Sequence, residues 1–368
     1  MAKQKKTVRV TLTLPDGSRK YFSGTTRREA EKKRAEAKVI IEKGYAVNDR
    51  TTFKAMSATW LKKYKARKNI ALRTYETAEA IFNRYLIPFF GDRLLADIKP
   101  MDIDNLLIEL QDLSLSTQKK CLQYTRNVFD MAIENELIPR SPTRDKKPTA
   151  EKAEKVHALT DSQCDALLSA MEGTRAYLFI LVLLRCGLRK GEALGLMWDD
   201  IDFQKARMKV DRTLVYSVNN RAGIINPKMK TPAAHRIIPL APDVLHTLQA
   251  AKFRSNSKYV FSMQDGSPLS ESSFKRLWQL IDYRTIGGPN TSKRVEQVLD
   301  FHVHPHQLRH TCCTRWLADG LTPKEVQYLM GHETCDITMD IYAEYLQEQE
   351  LEKTAEKICR KNECEVAV

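Results

Sequence analysis

The sequence predicts a multidomain protein that is mainly α-helical and carries small antiparallel β-sheets. Its 368 residues, 42% of them hydrophobic, are enough for two or three domains that each bury a core. Apolar residues recur at helical spacing from Phe53 to about Leu137, and helical patterns return in the second half of the chain. Strand-like alternation is confined to short runs near the N-terminus and between Lys205 and Leu240.

Residues 1–50 predict a β-hairpin packed on one helix. Residues 7–14 and 19–23 alternate apolar and polar side chains around a Pro-Asp-Gly turn signal, and a helical run extends to about Glu42. This stretch holds 14 Lys and Arg against 6 Asp and Glu. Strands with such charge can lie in a DNA major groove, although a solvated basic surface is the alternative. The candidate contacts are Lys3, Lys5, Lys6, Arg9, Arg19 and Lys20.

Residues 51–140 predict a helical bundle whose apolar stripes form its core. Basic residues fall on the outer faces, and the candidates for DNA contact are Lys62, Lys63, Arg73, Lys119, Lys120 and Arg126. Residues 141–156 are rich in proline and charge, which predicts a linker between domains. Its Lys146 and Lys147 are expected to follow a DNA backbone.

The composition indicates a polyanionic partner and argues against a membrane protein. The formal net charge is +14 and the pI is about 9.3, which favours salt-dependent binding to nucleic acid. The longest apolar run, Tyr177–Leu184, is far shorter than the ~20 residues needed to span a bilayer. The basic, polar start of the chain lacks the apolar core of a signal peptide, so a cytoplasmic location is expected. Eight irregularly spaced cysteines indicate reduced thiols.

Two predicted helices place candidate phosphate-binding groups. Pro305 fits the first turn of a helix, on which His306 and Arg309 share a face because they are three residues apart. A planar guanidinium fork matches a tetrahedral phosphate. The cap signals at Thr322 to Glu325 begin a second helix that Gly331 ends. His332 is therefore expected on the turn beyond that helix, and Tyr342 on the helical pattern that follows.

Taken together, His306, Arg309, the Leu329-Met-Gly-His332 run and Tyr342 resemble the second conserved box of the tyrosine recombinases, the phage integrase family. The run from Cys186 to Glu192 and on to Asp200 resembles the first box, with Arg189 as its arginine. The family commonly has threonine where Cys186 stands, and either small residue suffices. The motifs cover residues 53–345 well and the two ends of the chain less specifically.

The resemblance implies that Tyr342 attacks a DNA phosphodiester and forms a 3′-phosphotyrosyl link, without metal, ATP or another cofactor. Arg189 and Arg309 would bind the non-bridging oxygens, and Glu192 and Asp200 would support them. His332 would donate to the phosphate and His306 would accept or relay the tyrosine proton. Lys230 would protonate the leaving 5′-oxygen, with Lys228 as the alternative on the same hairpin.

A metal site is the competing interpretation of the same stretch. Histidines and cysteines crowd it, namely His302, His304, His306, His310, Cys312, Cys313, His332 and Cys335. No CxxC pair accompanies these histidines, and adjacent Cys312 and Cys313 point apart on a helix. No metal is therefore expected.

The family also implies the domain roles and partners. Residues 1–50 would bind arm-type sites, 51–140 the core site, 157–345 would be catalytic, and 346–368 a docking tail for a neighbouring protomer. We expect double-stranded DNA, a homo-tetramer in the synaptic complex and a nucleoid location in a bacterial cell. The resemblance also allows an excisionase and a host DNA-bending protein as partners. The alternatives are an inert DNA-binding regulator of this fold and a type IB topoisomerase-like strand transferase.

Overall fold

A computed structural model describes residues 7–13, 19–42, 50–67, 70–152, 156–217, 220–226, 232–285, 299–343 and 345–347. The chain forms two compact units, Met1–Glu154 and Lys155–Val368. Helices predominate in both units and the described sheets are small and antiparallel. The predicted fold class is confirmed. No helix within the described ranges is long and apolar enough to cross a membrane.

The first unit begins with a two-stranded hairpin packed on a helix. Strand β1 (Val8–Thr13) pairs antiparallel with β2 (Arg19–Gly24), and α1 (Arg27–Glu42) follows. The Thr26 hydroxyl accepts the Glu29 N–H at 3.2 Å, which caps the helix. Because side chains alternate along a strand, one face of the hairpin is half-buried and the other is exposed.

A helical bundle completes the first unit. Its elements are α2 (Phe53–Lys65), α3 (Leu72–Ile81), a π-helical turn (Phe82–Leu86), α4 (Ile87–Phe90), α5 (Pro100–Glu109) and α6 (Leu115–Glu134). The Thr52 side chain caps α2 and Ser114 caps α6. Buried aromatic rings fill the centre, with Phe53 in contact with both Phe90 and Phe129.

Most of the predicted linker is packed onto this bundle. Gln118, fully buried on α6, donates to the Leu110 carbonyl at 2.8 Å and accepts the Thr149 and Ala150 N–H groups at 3.0 and 3.1 Å. Lys146 forms an ion pair with Asp104. These contacts attach part of the predicted linker, residues 141–156, to the bundle. The Thr149 and Ala150 N–H groups find a buried acceptor in Gln118.

The described part of the second unit combines seven helices, and further helical residues at 336–343 and 345–347, with two small sheets. The helices are α7 (Asp161–Met171), α8 (Tyr177–Cys186), α9 (Lys190–Leu194), α10 (Pro242–Phe253), α11 (Glu271–Thr285), α12 (Pro305–Ala318) and α13 (Pro323–Met330). The strands are β3 (Ile201–Asp202), β4 (Arg207–Val210), β5 (Thr213–Ser217), β6 (Asn220–Asn226) and β7 (Arg236–Pro239). Helix α8 is almost wholly buried and packs against α7, α10 and α12.

The described strands of the second unit divide into two sheets. Strands β3, β4 and β7 form one antiparallel sheet and β5 and β6 form a separate hairpin. Gly191 explains the close packing of that hairpin on α9, because a Cβ there would lie 2.4 Å from Thr213 Oγ1 and 2.9 Å from the Leu214 carbonyl oxygen. The hairpin is therefore seated directly on the helix that follows Arg189.

We expect Gln118→Met to loosen residues 141–150, because it keeps the side-chain volume but leaves several backbone groups without partners. A buried polar group left without a hydrogen-bond partner lowers the free energy of unfolding by about 1–3 kcal/mol. Trypsin should then cleave after Arg140, Arg144 and Lys146 faster than in the wild type, as followed by mass spectrometry.

Gln123→Met is the matched control, since Gln123 is exposed on the same helix and bonds only Asn127. Equal cleavage rates in the two variants would contradict the assigned role of Gln118.

Candidate active site

The C-terminal end of α13 is the point at which the candidate site is assembled. The Thr322 side chain and Glu325 form a capping box at the start of this helix, and Gly331 ends it with a left-handed φ of 64°. The last carbonyl groups of a helix have no partners within it and need donors from elsewhere. They are also the negative end of the helix dipole, which favours positively charged donors.

Three arginines from distant parts of the chain supply these donors, one to each of three successive carbonyl groups. Arg236 Nε donates to Leu329 O at 2.7 Å. Arg309 Nη2 donates to Met330 O. Arg189 Nη2 donates to Gly331 O at 3.1 Å. One helix end therefore fixes three guanidinium groups in register.

The Glu192 carboxylate lies among the same three guanidinium groups. Its Oε1 is 2.8 Å from Arg189 Nη1, and its Oε2 is 2.7 Å from Arg236 Nη2 and 3.8 Å from Arg309 Nη1. Burial alone would raise the pKa of the Glu192 carboxyl, but the charges of Arg236, Arg309 and Arg189 outweigh it and lower this pKa to about 2. Glu192 is therefore a permanent anion at neutral pH.

Solvent access differs sharply among the three arginine side chains. That of Arg189 is 43% exposed, that of Arg309 is 3% exposed and that of Arg236 is 0% exposed. Arg309 Nη1 also donates to the Gly187 carbonyl at 2.6 Å. Burial lowers the pKa of Arg309 to about 9, and it remains charged at neutral pH. Arg189 thus offers the accessible guanidinium, with Arg309 beneath it.

Gly187 brings the end of α8 close to α13. Its φ is +60°, and a Cβ at this position would lie 2.7 Å from the Met330 Cε atom. Only glycine adopts this backbone conformation and leaves this space at little cost. The Cys186-Gly187 turn thereby lets Arg189 reach the end of α13.

Two neutral histidines accompany the arginines. Burial, then the charges of Arg309, Arg189 and Arg236, lowers the pKa of His332 to about 4. Its Nδ1 lies 2.8 Å from Thr338 Oγ1. If the Thr338 hydroxyl donates there, Nε2 carries the ring proton and is a donor. His306 is accessible at the start of α12, and desolvation followed by Arg309 and Arg189 lowers its pKa as well.

Tyr342 lies in the helical residues 336–343 and is half-buried. It packs against an apolar cluster that includes Met330, Cys313 and Leu317. Tyr342 therefore rests on the same two helices, α12 and α13, that carry Arg309 and the carbonyl groups. Lys230 and the alternative Lys228 lie outside the described residues.

Asp200, expected to support the arginines, has other partners. It accepts the Met197 N–H at 2.8 Å and pairs with Arg212 at 2.5 Å. Cys312 and Cys313 are buried, which raises the pKa of both thiols. Across the ranges given above, no three His, Cys, Asp or Glu side chains come together as a metal ion would require.

The candidate DNA contacts of the first unit separate into exposed and engaged residues. Arg9 and Arg19 are on the exposed face of the hairpin, whereas Lys20 is on the opposite face, over the Phe22 ring. Arg126 donates to the Lys146 carbonyl and Lys146 pairs with Asp104. The exposed candidates on the bundle are Lys62, Lys63, Arg73, Lys119, Lys120 and Lys147. Lys3, Lys5 and Lys6 lie outside the described residues.

Sequence reasoning missed Arg236, Thr338 and Tyr21. Arg236 directly precedes the Ile-Ile-Pro-Leu strand, and a charged residue at the start of a buried strand was the available signal. Tyr21 is 65% exposed between Arg9 and Arg19 on one hairpin face, which the register of alternating residues could have indicated.

The anionic state of Glu192 predicts a specific acid dependence of stability. Because its pKa is about 2 in the folded chain and near 4.5 in an unfolded one, its contribution is complete above pH 4.5 and disappears as pH falls towards 2. We expect Glu192→Gln to be less stable than the wild type at pH 7, by on the order of a few kcal/mol. The difference should shrink between pH 4.5 and 2, as measured by urea unfolding.

Asp202→Asn is the control, since Asp202 is a more exposed carboxylate paired with Arg207. A difference between the wild type and Glu192→Gln that does not change with pH would show that Glu192 is not the titrating group.

Comparison with known proteins gives a consistent family. The sequence profile of the phage integrase family matches residues 157–349, and that of the phage integrase N-terminal SAM-like domain matches residues 52–111. A XerC-like tyrosine recombinase from Caldanaerobacter subterraneus subsp. tengcongensis is 26% identical over 359 residues, covering 90% of this chain and 89% of the relative. The transposase of transposon Tn916 from Enterococcus faecalis is 26% identical over 265 residues, covering 69% of this chain and 65% of the transposase.

A solved structure shares the architecture. The Tn1549 transposon integrase, in complex with transposon right end DNA, superposes with a TM-score of 0.66 at 25% identity. The match covers 83% of this chain and 100% of that one. The resemblance carried by the two motif boxes is confirmed, and the chain belongs to the phage integrase family of tyrosine recombinases, enzymes that break and rejoin DNA.

Proposed function

We propose that the protein is a site-specific DNA recombinase that integrates and excises a mobile element through a covalent 3′-phosphotyrosyl intermediate. The observation that carries this proposal is the group of three guanidiniums held by Glu192 and the end of α13. Three positive charges and one negative charge give this group a net charge of +2. A pentacoordinate phosphorane with two negative charges is the species that such a charge stabilises.

The roles of the residues follow from their charge and access. Arg189 binds a non-bridging oxygen directly, and Arg309 adds charge from beneath and reaches a second oxygen if DNA binding opens its surroundings. His332 donates to the phosphate from Nε2, and His306 accepts or relays the tyrosine proton. Tyr342 attacks phosphorus, the 5′-oxygen leaves, and Lys230 gives that oxygen its proton. The bond energy stays in the phosphotyrosyl ester, so neither metal nor ATP is needed.

The likeness to transposon proteins supports a mobile element as the substrate. The transposase of Tn916 and the integrase of Tn1549, which was solved with transposon right end DNA, both match most of this chain. We assign residues 1–50 to arm-type sites, 51–140 to the core site and 157–345 to catalysis. Residues 346–368 dock on a neighbour in a tetrameric synapse. An excisionase and a host DNA-bending protein complete the assembly.

We expect Tyr342→Phe to bind attachment-site DNA as tightly as the wild type but to form no covalent adduct. The substitution removes only the hydroxyl and leaves every phosphate-binding group in place. The assay uses nicked DNA that carries candidate attachment sites, in excess EDTA, with denaturing electrophoresis to reveal the adduct. Tyr345→Phe, three residues further along, is the control and should cleave normally.

Other outcomes point to other functions. DNA binding by the wild type without any adduct would indicate an inert regulator of this fold. Relaxation of plasmids that lack an attachment site would indicate a topoisomerase. Loss of activity in EDTA, with recovery on addition of zinc, would indicate a metal site formed by the histidines and cysteines.

The exposed hairpin face gives a second prediction. Arg9→Ala and Arg19→Ala should weaken binding to arm DNA and should each flatten the slope of log affinity against log salt by ~0.9, because each removes one phosphate contact. Tyr21→Ala should weaken binding with the slope unchanged, since an aromatic ring contacts sugar or base rather than phosphate.

Arg27→Ala is the matched control, because it removes one positive charge from α1, where Arg27 pairs with Glu31. Equal slopes for Arg27→Ala and Arg9→Ala would mean that net charge, rather than the hairpin face, governs binding. Cleavage of a short core site should be unchanged in all four variants.

A further inference from the structure

Arg236 is a charged residue that the roles above do not use, although it lies inside the cluster. All three of its side-chain nitrogens donate: Nε to Leu329 O, Nη1 to Ala234 O at 3.1 Å, and Nη2 to Glu192. With no solvent exposure and every nitrogen bonded within the protein, Arg236 has no donor directed at a DNA phosphate. Its contribution to chemistry has to pass through its neighbours.

We propose that Arg236 is a positioning residue for strand cleavage, one that offsets the charge of Glu192 and fixes this carboxylate so that Arg189 stays available to the phosphate. The inference rests on the proposed function. It assigns different tasks to two of the guanidiniums, since Arg189 meets the phosphate whereas Arg236 holds the carboxylate and the end of α13.

The charge balance of the cluster supports this division. Without Arg236, two guanidiniums and one carboxylate would leave a net charge of +1, half of what the complete cluster presents. Glu192 Oε2 would also lose its 2.7 Å partner and would have only Arg309, at 3.8 Å, and the Arg189 N–H on that side. The buried carboxylate would then interact more strongly with the two remaining guanidiniums and offset more of their positive charge. Less positive charge is then left for the transition state.

Arg236 also contacts the segments that orient the Arg189 side chain. It begins β7, reaches the last turn of α13 through Leu329, and reaches α9 through Glu192. Gly331 leaves room for it, because a Cβ there would lie 3.0 Å from Arg236 Nη1. Glu192 and the Gly331 carbonyl are the two groups that hold the Arg189 side chain. Arg236 contacts both of the segments that aim Arg189.

A double-mutant cycle between Arg236 and Glu192 tests the proposal. The four proteins are the wild type, Arg236→Met, Glu192→Gln and the double variant, each full-length. The rate of adduct formation is measured in a single turnover at saturating protein. DNA affinity is measured with Tyr342→Phe added to each variant, and thermal unfolding ensures that every assay is run on folded protein.

Arg236→Met should slow adduct formation roughly tenfold to a hundredfold, as expected for a misaligned phosphate-binding group. DNA affinity should change by less than about threefold, because no phosphate contact is lost. In the Glu192→Gln background the same change should cost less than about threefold, since the carboxylate that Arg236 serves is already neutral. Arg236→Lys keeps the charge but not the fork, and should cleave within about tenfold of wild type.

Leu248→Ala controls for lost stability alone, since it opens a cavity at a fully buried side chain of α10 and removes no member of the arginine cluster. Equal fold losses from Arg236→Met in both backgrounds would overturn the proposal, as would a loss no greater than that of Leu248→Ala at matched stability. If Arg236→Met does not fold, Arg236→Lys replaces it in the cycle. The proposal is then overturned if Arg236→Lys slows adduct formation by the same factor in the wild-type and the Glu192→Gln backgrounds.

Failure of the wild type to form an adduct would refute the proposed function. Equal effects of the Arg236 substitution in both backgrounds, with an active wild type, would refute only this inference.

Discussion

The buried Glu192 carboxylate is the interaction on which the active site depends. Three guanidiniums of like charge repel one another, and each loses hydration when it is brought inside the protein. A central carboxylate and the three carbonyl groups at the end of α13 offset both costs at once. Removing one member leaves the others buried without compensation, so the cluster behaves as a unit. Its arginines come from residues 189, 236 and 309, and the site therefore exists only when the second unit is folded.

The three arginines differ in their access to solvent. The side chain of Arg236 is fully buried, that of Arg309 is almost fully buried, and that of Arg189 is partly exposed. The buried groups fix geometry and field in advance, so little reorganisation is needed when negative charge develops on the phosphate. Burial, and after it the charges of the same arginines, lowers the pKa of His332 to about 4, which leaves an uncharged ring that can donate a hydrogen bond. Acid–base chemistry at this site is thus set by buried arginines as much as by the histidines themselves.

Local signals in the sequence predicted most of the helices and the order of the site residues. Helix ends depend on interactions between residues three or four positions apart. The Thr322 capping box, Pro305 and Gly331 each lie at the helix end that the sequence predicts. Arg236 and Gln118 were missed because their partners are distant in sequence. Glu192 is 44 residues from Arg236, and Thr149 is 31 residues from Gln118. Composition alone also gave no sign that Thr149 and Ala150, within the predicted linker, donate hydrogen bonds to Gln118 of the bundle.

The net charge of the cluster links DNA binding to the stability of the site. Without a bound anion, the arginines retain an excess of positive charge in a partly buried setting, which is a strained electrostatic state. In the proposed mechanism, a phosphodiester at Arg189 would supply the missing negative charge, so binding would relieve repulsion that folding alone leaves in place. Interactions of this kind bind a doubly charged transition state better than a singly charged ground state, and this difference is what accelerates a reaction. Under the proposed mechanism the net charge of +2 contributes to catalysis, because a cluster neutralised within the protein would gain no further stabilisation as negative charge develops on the phosphate.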